Sequence, residues 1–133
     1  MFADAVRGRV GLWTTRYEKA HDRFGRSWIT IDGREVVSMS NYLACGDRVA
    51  DGNPDRFEAG VFAAYDLPLA MREYLTLSVD KAIGSLNPLI RALAVLDGRV
   101  GQRRLARFDA ATESPLVVQM LALRRGVGDP TVA

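Results

Sequence analysis

Hydrophobic and polar positions follow a period of two through the first third of the chain and a helical period through the second half. Val10 to Glu18, VGLWTTRYE, is rich in β-branched and aromatic residues and reads as a strand. Arg26 to Asp32, RSWITID, alternates most cleanly, with Ile29 and Ile31 on one face and Trp28 and Thr30 on the other. Asp32-Gly33 then supplies two residues that tolerate positive φ, a strong hairpin signal, and Arg34 to Ser40 returns as the next strand. Three consecutive strands within residues 10–40 make a meander.

The helical half is punctuated by caps. Asp66 with Pro68 opens LPLAMREYLTL, where Leu67, Met71, Tyr74 and Leu75 share a face. Ser78 starts a short turn of helix, VDKAIG. Asn87-Pro88 opens LIRALAVLD, whose Leu89, Leu93 and Leu96 form the stripe expected to be buried and which Asp97-Gly98 ends. A helix is predicted over Val100 to Phe108. Ser114-Pro115 opens LVVQMLALRR, which stops at Gly126 with Arg124 and Arg125 well placed at its C-terminus. Residues 2–7 suit a short helical turn. Residues 41–56, rich in Gly, Asp and Asn, read as a loop, residues 57–65 carry a helical tendency interrupted by Gly60, and residues 127–133 form a frayed tail. Strands followed by helices predict an α+β domain over residues 1–133: an N-terminal three-stranded antiparallel β-meander covered by C-terminal short helices within 57–125.

Composition narrows the class. With 133 residues, 48% of them hydrophobic and 26% charged, the chain can bury a core without disulfides or metals. One cysteine, Cys45, and one histidine, His21, exclude the common zinc clusters and fit a reducing compartment. No apolar run reaches membrane length, and MFADAVRGRV lacks a signal-peptide core, so a cytoplasmic protein away from membranes is expected. Net charge is +2, and it is unevenly placed: residues 1–66 carry -1 and residues 67–133 carry +3. Sixteen of the 18 basic residues are Arg, a bias that suits bidentate ion pairing and also follows from a GC-rich genome.

Two stretches are candidate sites. Tyr17, His21, Asp22, Arg23 and Arg26 cluster in the connection between the first two strands. A His beside an Asp can serve as base and orienter, but no nucleophile accompanies them, and a polar hairpin tip explains the same residues. Residues 97–108, DGRVGQRRLARF, carry Arg99, Arg103, Arg104 and Arg107 after LIRALAVL, an arrangement like the second helix of a helix-turn-helix. Those side chains could neutralise phosphates, meet an acidic protein, or pair with carboxylates elsewhere in the fold. Cys45 precedes Gly46 without a nearby His and gives no sign of activation. Asp47, Asp51 and Asp55 lie too far apart for a calcium loop, and no phosphate-binding glycine motif is present. Trp13 and Trp28 read as sheet packing. No cofactor or metal is expected.

Residues 14–36, TRYEKAHDRFGRSWITIDGREV, and 87–105, NPLIRALAVLDGRVGQRRL, together resemble a family of small bacterial hypothetical proteins. The resemblance covers about residues 8–125 and brings no catalytic residues with it. Proteins of this kind also resemble products of mobile integron gene cassettes. SMSNYLACGDRVADGNPD is more idiosyncratic, so no shared role is placed there. The expectation from these features is a non-enzymatic protein-interaction module that self-associates, with a homodimer as the simplest assembly and an acidic protein as the other partner. The alternatives are a nucleic-acid-binding protein using residues 99–107, and a small-ligand binder or enzyme using the His21 loop.

Overall fold

A computed structural model describes residues 2–16, 24–39 and 62–126. The fold is α+β: a three-stranded antiparallel sheet followed by several short helices. The chain divides into two compact units, a sheet unit of residues 8–72 and a helical unit of residues 1–7 and 73–133.

In the sheet unit, β1 (Val10–Arg16), β2 (Phe24–Ile31) and β3 (Arg34–Met39) lie in sequence order, so among the described residues β1 and β3 are the edges. The β2–β3 turn is the expected two-residue hairpin. Asp32 and Gly33 have φ of 52° and 80°, the left-handed pair that matches strand twist. Arg9 fixes the turn from outside with two hydrogen bonds to the Asp32 carboxylate at 2.9 and 2.8 Å. β1 pairs with β2 through Val10↔Ile31, Leu12↔Ile29 and Trp13↔Trp28. Register therefore sends Val10, Ser27, Ile29 and Met39 inward, all of them buried. Ser27 is the polar member of that layer. Its hydroxyl donates to Ala64 O at 2.5 Å and shares a second hydrogen bond with Thr14 Oγ1 at 2.8 Å, so its burial leaves no orphan.

Helix α1 (Asp66–Tyr74) differs from expectation in its cap and its face. The first i→i−4 bond runs from Leu69 N to Tyr65 O, which puts Tyr65, not Asp66, at the N-cap position. The Asp66 carboxylate turns back and accepts from Ala63 N at 2.6 Å. The buried apolar residues are Leu67, Ala70 and Tyr74, while Met71 and Leu75 are exposed. Spacing of i, i+3, i+7 picks a stripe through the small Ala70, and the larger Met71 falls on its flank. The helix also stops three residues early, because Thr76 folds its hydroxyl onto Glu73 O at 2.7 Å.

The helical unit follows its caps closely. Ser78 accepts from Lys81 N at 3.2 Å and starts α2 (Val79–Ile83). Asn87 Oδ1 accepts from Leu89 N at 3.0 Å and, with Pro88 in the first turn, starts α3 (Pro88–Leu96). Every residue of α3 except Arg91 is buried, so α3 is the centre of this unit and not a one-faced helix. Arg91 leaves it through a largely covered ion pair with Glu113 at 3.1 Å. The helix predicted over residues 100–108 is a single turn, α4 (Gln102–Leu105). Gly101 begins it without a side-chain cap, and i→i−3 bonds from Arg107 N and Phe108 N close it as the chain bends to bury Leu105 and Phe108. α5 (Pro115–Arg124) packs on α3 and ends at Gly126, whose φ of 72° supplies the left-handed stop. Arg124 turns inward from the end of α5 and donates to Val95 O, Asp97 O and Val100 O at 2.8, 2.9 and 2.5 Å. Among the described residues no helix is long and apolar enough to cross a membrane.

Candidate functional site

The outer face of the sheet gathers Gly11, Trp13 and Thr15 of β1 against Thr30, Trp28 and Arg26 of β2. Trp13 and Trp28 stand directly opposite and stack, with centroids 6.1 Å apart and planes 12° from parallel. Trp13 Nε1 donates to Thr30 Oγ1 at 3.0 Å, which lays the indole back across Gly11. A Cβ at position 11 would lie 2.3 Å from that nitrogen and 2.6 Å from Thr30 Oγ1, so only glycine leaves the indole this pose. The Arg26 guanidinium also packs over Trp28, 4.6 Å from the ring centroid. It is held there by Ser38 Oγ at 3.2 Å and by an ion pair with Glu35, whose carboxyl that guanidinium draws below its ordinary pKa. The ladder Trp13–Trp28–Arg26–Glu35 is thus fixed by its own hydrogen bonds, yet half of the Trp13 surface remains exposed.

Trp13 lies on an edge strand, and the backbone there is oriented. Asp32 N donates to Arg9 O at 2.8 Å, so the odd-numbered residues of β1 face β2. Val10, Leu12 and Thr14 consequently direct their N–H and C=O groups outward. Among the described residues no strand pairs with that edge. Beside it lies a cleft of about 240 Å³ between Leu12, Trp13 and Thr14 of β1 and Leu67, Pro68 and Met71 of α1. The neighbouring Leu69 is also half exposed.

The arginines of residues 97–108 are largely occupied. Arg104 Nε and Arg107 Nη1 both donate to Asp80 Oδ1 at 3.0 Å, and the Asp80 pKa is lowered, first by the Arg104 bond and then by Arg107. Arg99 clamps Asp97 through Nη2 at 2.7 Å and Nε at 3.1 Å, with its own N–H adding a bond at 2.9 Å. The Tyr74 hydroxyl donates to the same carboxylate. The Asp97 side chain is fully covered, and burial pushes its carboxyl up. Bonds from Arg99 and Tyr74 outweigh that and hold it at about 2. Tyr74 is raised well above its usual range, by burial and then by Asp97. Arg103 is exposed, and among the described residues no carboxylate pairs with it.

Of the strand-connection cluster, Arg26 belongs to the described residues and packs on Trp28. Tyr17, His21, Asp22 and Arg23 lie outside the described residues, as does Cys45. Sequence reasoning missed Gly11, Leu12 and Met71 as site residues. A glycine two positions before a tryptophan in a strand is the signal that was available for Gly11.

The family model of the SF0329 protein family matches the chain over residues 1–54 and 47–125, and the chain belongs to that family. No curated protein and no solved structure matches it.

Proposed function

We propose that this member of the SF0329 protein family is a non-enzymatic interaction module that pairs with a second copy of itself along the outer edge of β1. The observation that carries the reading is the uncharged run Val10–Thr15 on that edge, with half-exposed Trp13 at its middle. Edge strands that must stay single are guarded by charges, prolines or bulges. Here VGLWTT has no charge and no proline, and Arg9, just before it, is held on Asp32. The register irregularity falls only at its far end, between Thr15 and Arg16.

The outward backbone groups define how two copies would join. An antiparallel pairing centred on Trp13 sets Leu12 opposite the partner's Thr14, and these residues exchange both of their outward hydrogen bonds. Trp13 then meets the partner's Trp13 at a non-hydrogen-bonded position, where side chains approach closest. The Trp13–Trp28 stack becomes a row of four rings, each aromatic contact adding about 0.5–1.5 kcal/mol beyond its buried area. Pro68 and Met71 border the edge and offer further apolar surface. The two-fold arrangement is the commonest for soluble assemblies.

Light scattering or sedimentation across a concentration series tests this directly. The chain should pass from monomer to dimer. Leu12→Pro, which removes an outward N–H and no β1–β2 hydrogen bond, should remain monomeric with an unchanged far-ultraviolet spectrum. Trp13→Lys, which sets like charges across the two-fold, should do the same. A monomeric parent chain at the highest soluble concentration, or a Leu12→Pro variant that dimerises as tightly as its parent, would overturn the reading.

Nucleic-acid binding through residues 99–107 has less support, since Arg99, Arg104 and Arg107 already pair with carboxylates. Arg103→Glu with Arg104→Glu should leave low-salt polarisation with DNA or RNA unchanged. A bacterial, cytoplasmic, cassette-borne protein accords with this reading, and its support is the sequence alone, including the single cysteine.

A further inference from the structure

We propose that an open cleft in the helical unit binds a small organic anion, a carboxylate carried on a short apolar body. The cleft encloses about 780 Å³, within the usual range for small-molecule sites, and lies entirely among residues of that unit. Three arginines line it from three separate elements: Arg7 of the N-terminal arm, Arg99 of the α3–α4 connection and Arg124 at the end of α5. Phe2, Leu75 and Leu77 supply the apolar wall of the lining. The acidic group on the lining is Asp4, and Arg7 already engages it at 3.1 Å.

Two of the cations are positioned before any ligand arrives. Arg124 is held by its three backbone carbonyls, and Arg99 is held bidentate by the covered Asp97. Arg99 nevertheless keeps 66% of its side chain exposed. A guanidinium fixed from behind loses little side-chain freedom when a carboxylate meets its remaining surface. Arg7, 68% exposed, is the adjustable third member. The N-terminal arm is itself anchored at the cleft, where Ala3 N donates to Leu96 O at 2.8 Å and Phe2 bridges Asp97, so the apolar wall and the cations belong to one framework. This site is independent of the β1 edge, and the failure of either leaves the other standing.

The test is an amide-resonance NMR titration of the whole chain with benzoate, with benzamide as its neutral isostere and with inorganic phosphate. Benzoate should give saturable shifts at Ala3, Ala5, Arg7, Gly98 and Gln102, and should bind at least about tenfold tighter than benzamide, roughly the discrimination expected when a charge-assisted bond is lost. Arg7→Gln should weaken benzoate several-fold with the spectrum otherwise native. Arg99→Gln should weaken it further if folded, and Arg7→Gln keeps the test decisive if it is not. Benzamide binding as well as benzoate, linear unsaturated shifts, or shifts centred on residues that do not line the cleft would overturn the proposal. Phosphate binding the same residues as tightly as benzoate would also overturn it, because the apolar wall would then have no part in the site.

Discussion

Replacing Asp97 with asparagine should cost about 1–2 kcal/mol of folding stability at neutral pH and almost nothing near pH 2. The magnitude comes from the charge. In the fold the Asp97 carboxyl is fully covered, takes bonds from Tyr74 and Arg99, and titrates at about 2 in place of 3.8. Each pKa unit is worth about 1.4 kcal/mol, which sets a ceiling a little above 2 kcal/mol. Arg99 is two-thirds exposed, so solvent screens part of its attraction and the working figure is lower. The sign follows from the direction of the shift. A depressed carboxyl stabilises the fold above its unfolded pKa, and that contribution fades as pH falls from about 4 through about 2. The Asp97→Asn change keeps the size and one acceptor for Tyr74 but carries no charge, so it removes this pH-dependent part selectively.

Urea unfolding of the parent and of Asp97→Asn, followed from about pH 7 to about pH 2, measures the difference directly. The two curves of stability against pH should converge at the acid end. Parallel curves across that range would refute the reasoning. They would mean that Asp97 is held by shape alone, or that the unfolded chain keeps the same ion pair with Arg99, two residues away.

Gly11→Ala should destabilise the sheet unit by about 1–3 kcal/mol, the usual cost of overpacking, and shift tryptophan fluorescence as the indole leaves Thr30. The two Pro-led helices should respond differently to cap removal. Asn87→Ala should cost about 1 kcal/mol because a real cap bond is lost. Ser114→Ala should cost less than about 0.5 kcal/mol, because its buried Oγ has no hydrogen-bond partner among the described residues. Asp80→Asn should leave the melting temperature unchanged, its ion pairs with Arg104 and Arg107 being solvent-exposed, while raising the affinity of that surface for a polyanion such as heparin at low salt.

What was legible in the sequence was local. Asp32-Gly33, Asn87-Pro88 and Gly126 each specify backbone geometry within two or three residues, and each lies where expected. The faces of β2 followed from alternation alone. The faces of α1 did not, because choosing between Met71 and Ala70 depends on how close the packing partner comes, a distance that periodicity does not contain. The Trp13–Trp28 stack needed the β1–β2 register, set by the strands' own pairing and not by a short turn. Asp97 looked like a helix stop, which it is. Its second role as the covered partner of Tyr74 depends on a residue 23 positions away.

The arginine run illustrates the same limit with a functional consequence. Counted along the chain, Arg99, Arg103, Arg104 and Arg107 are four cations within nine positions and suggest a phosphate-binding helix. Asp80, which takes up two of them, lies 24 and 27 residues upstream, a separation that no helix periodicity links. Asp97 takes up a third. The helix shortens to one turn because Leu105 and Phe108 are drawn into the interior, so the arginines do not form one continuous face. Any polyanion at this surface would therefore meet Arg103 first, and would have to compete with Asp80 for Arg104 and Arg107. A basic run in the sequence thus overstates the positive charge the folded surface has to offer, and Asp80→Asn exposes the difference.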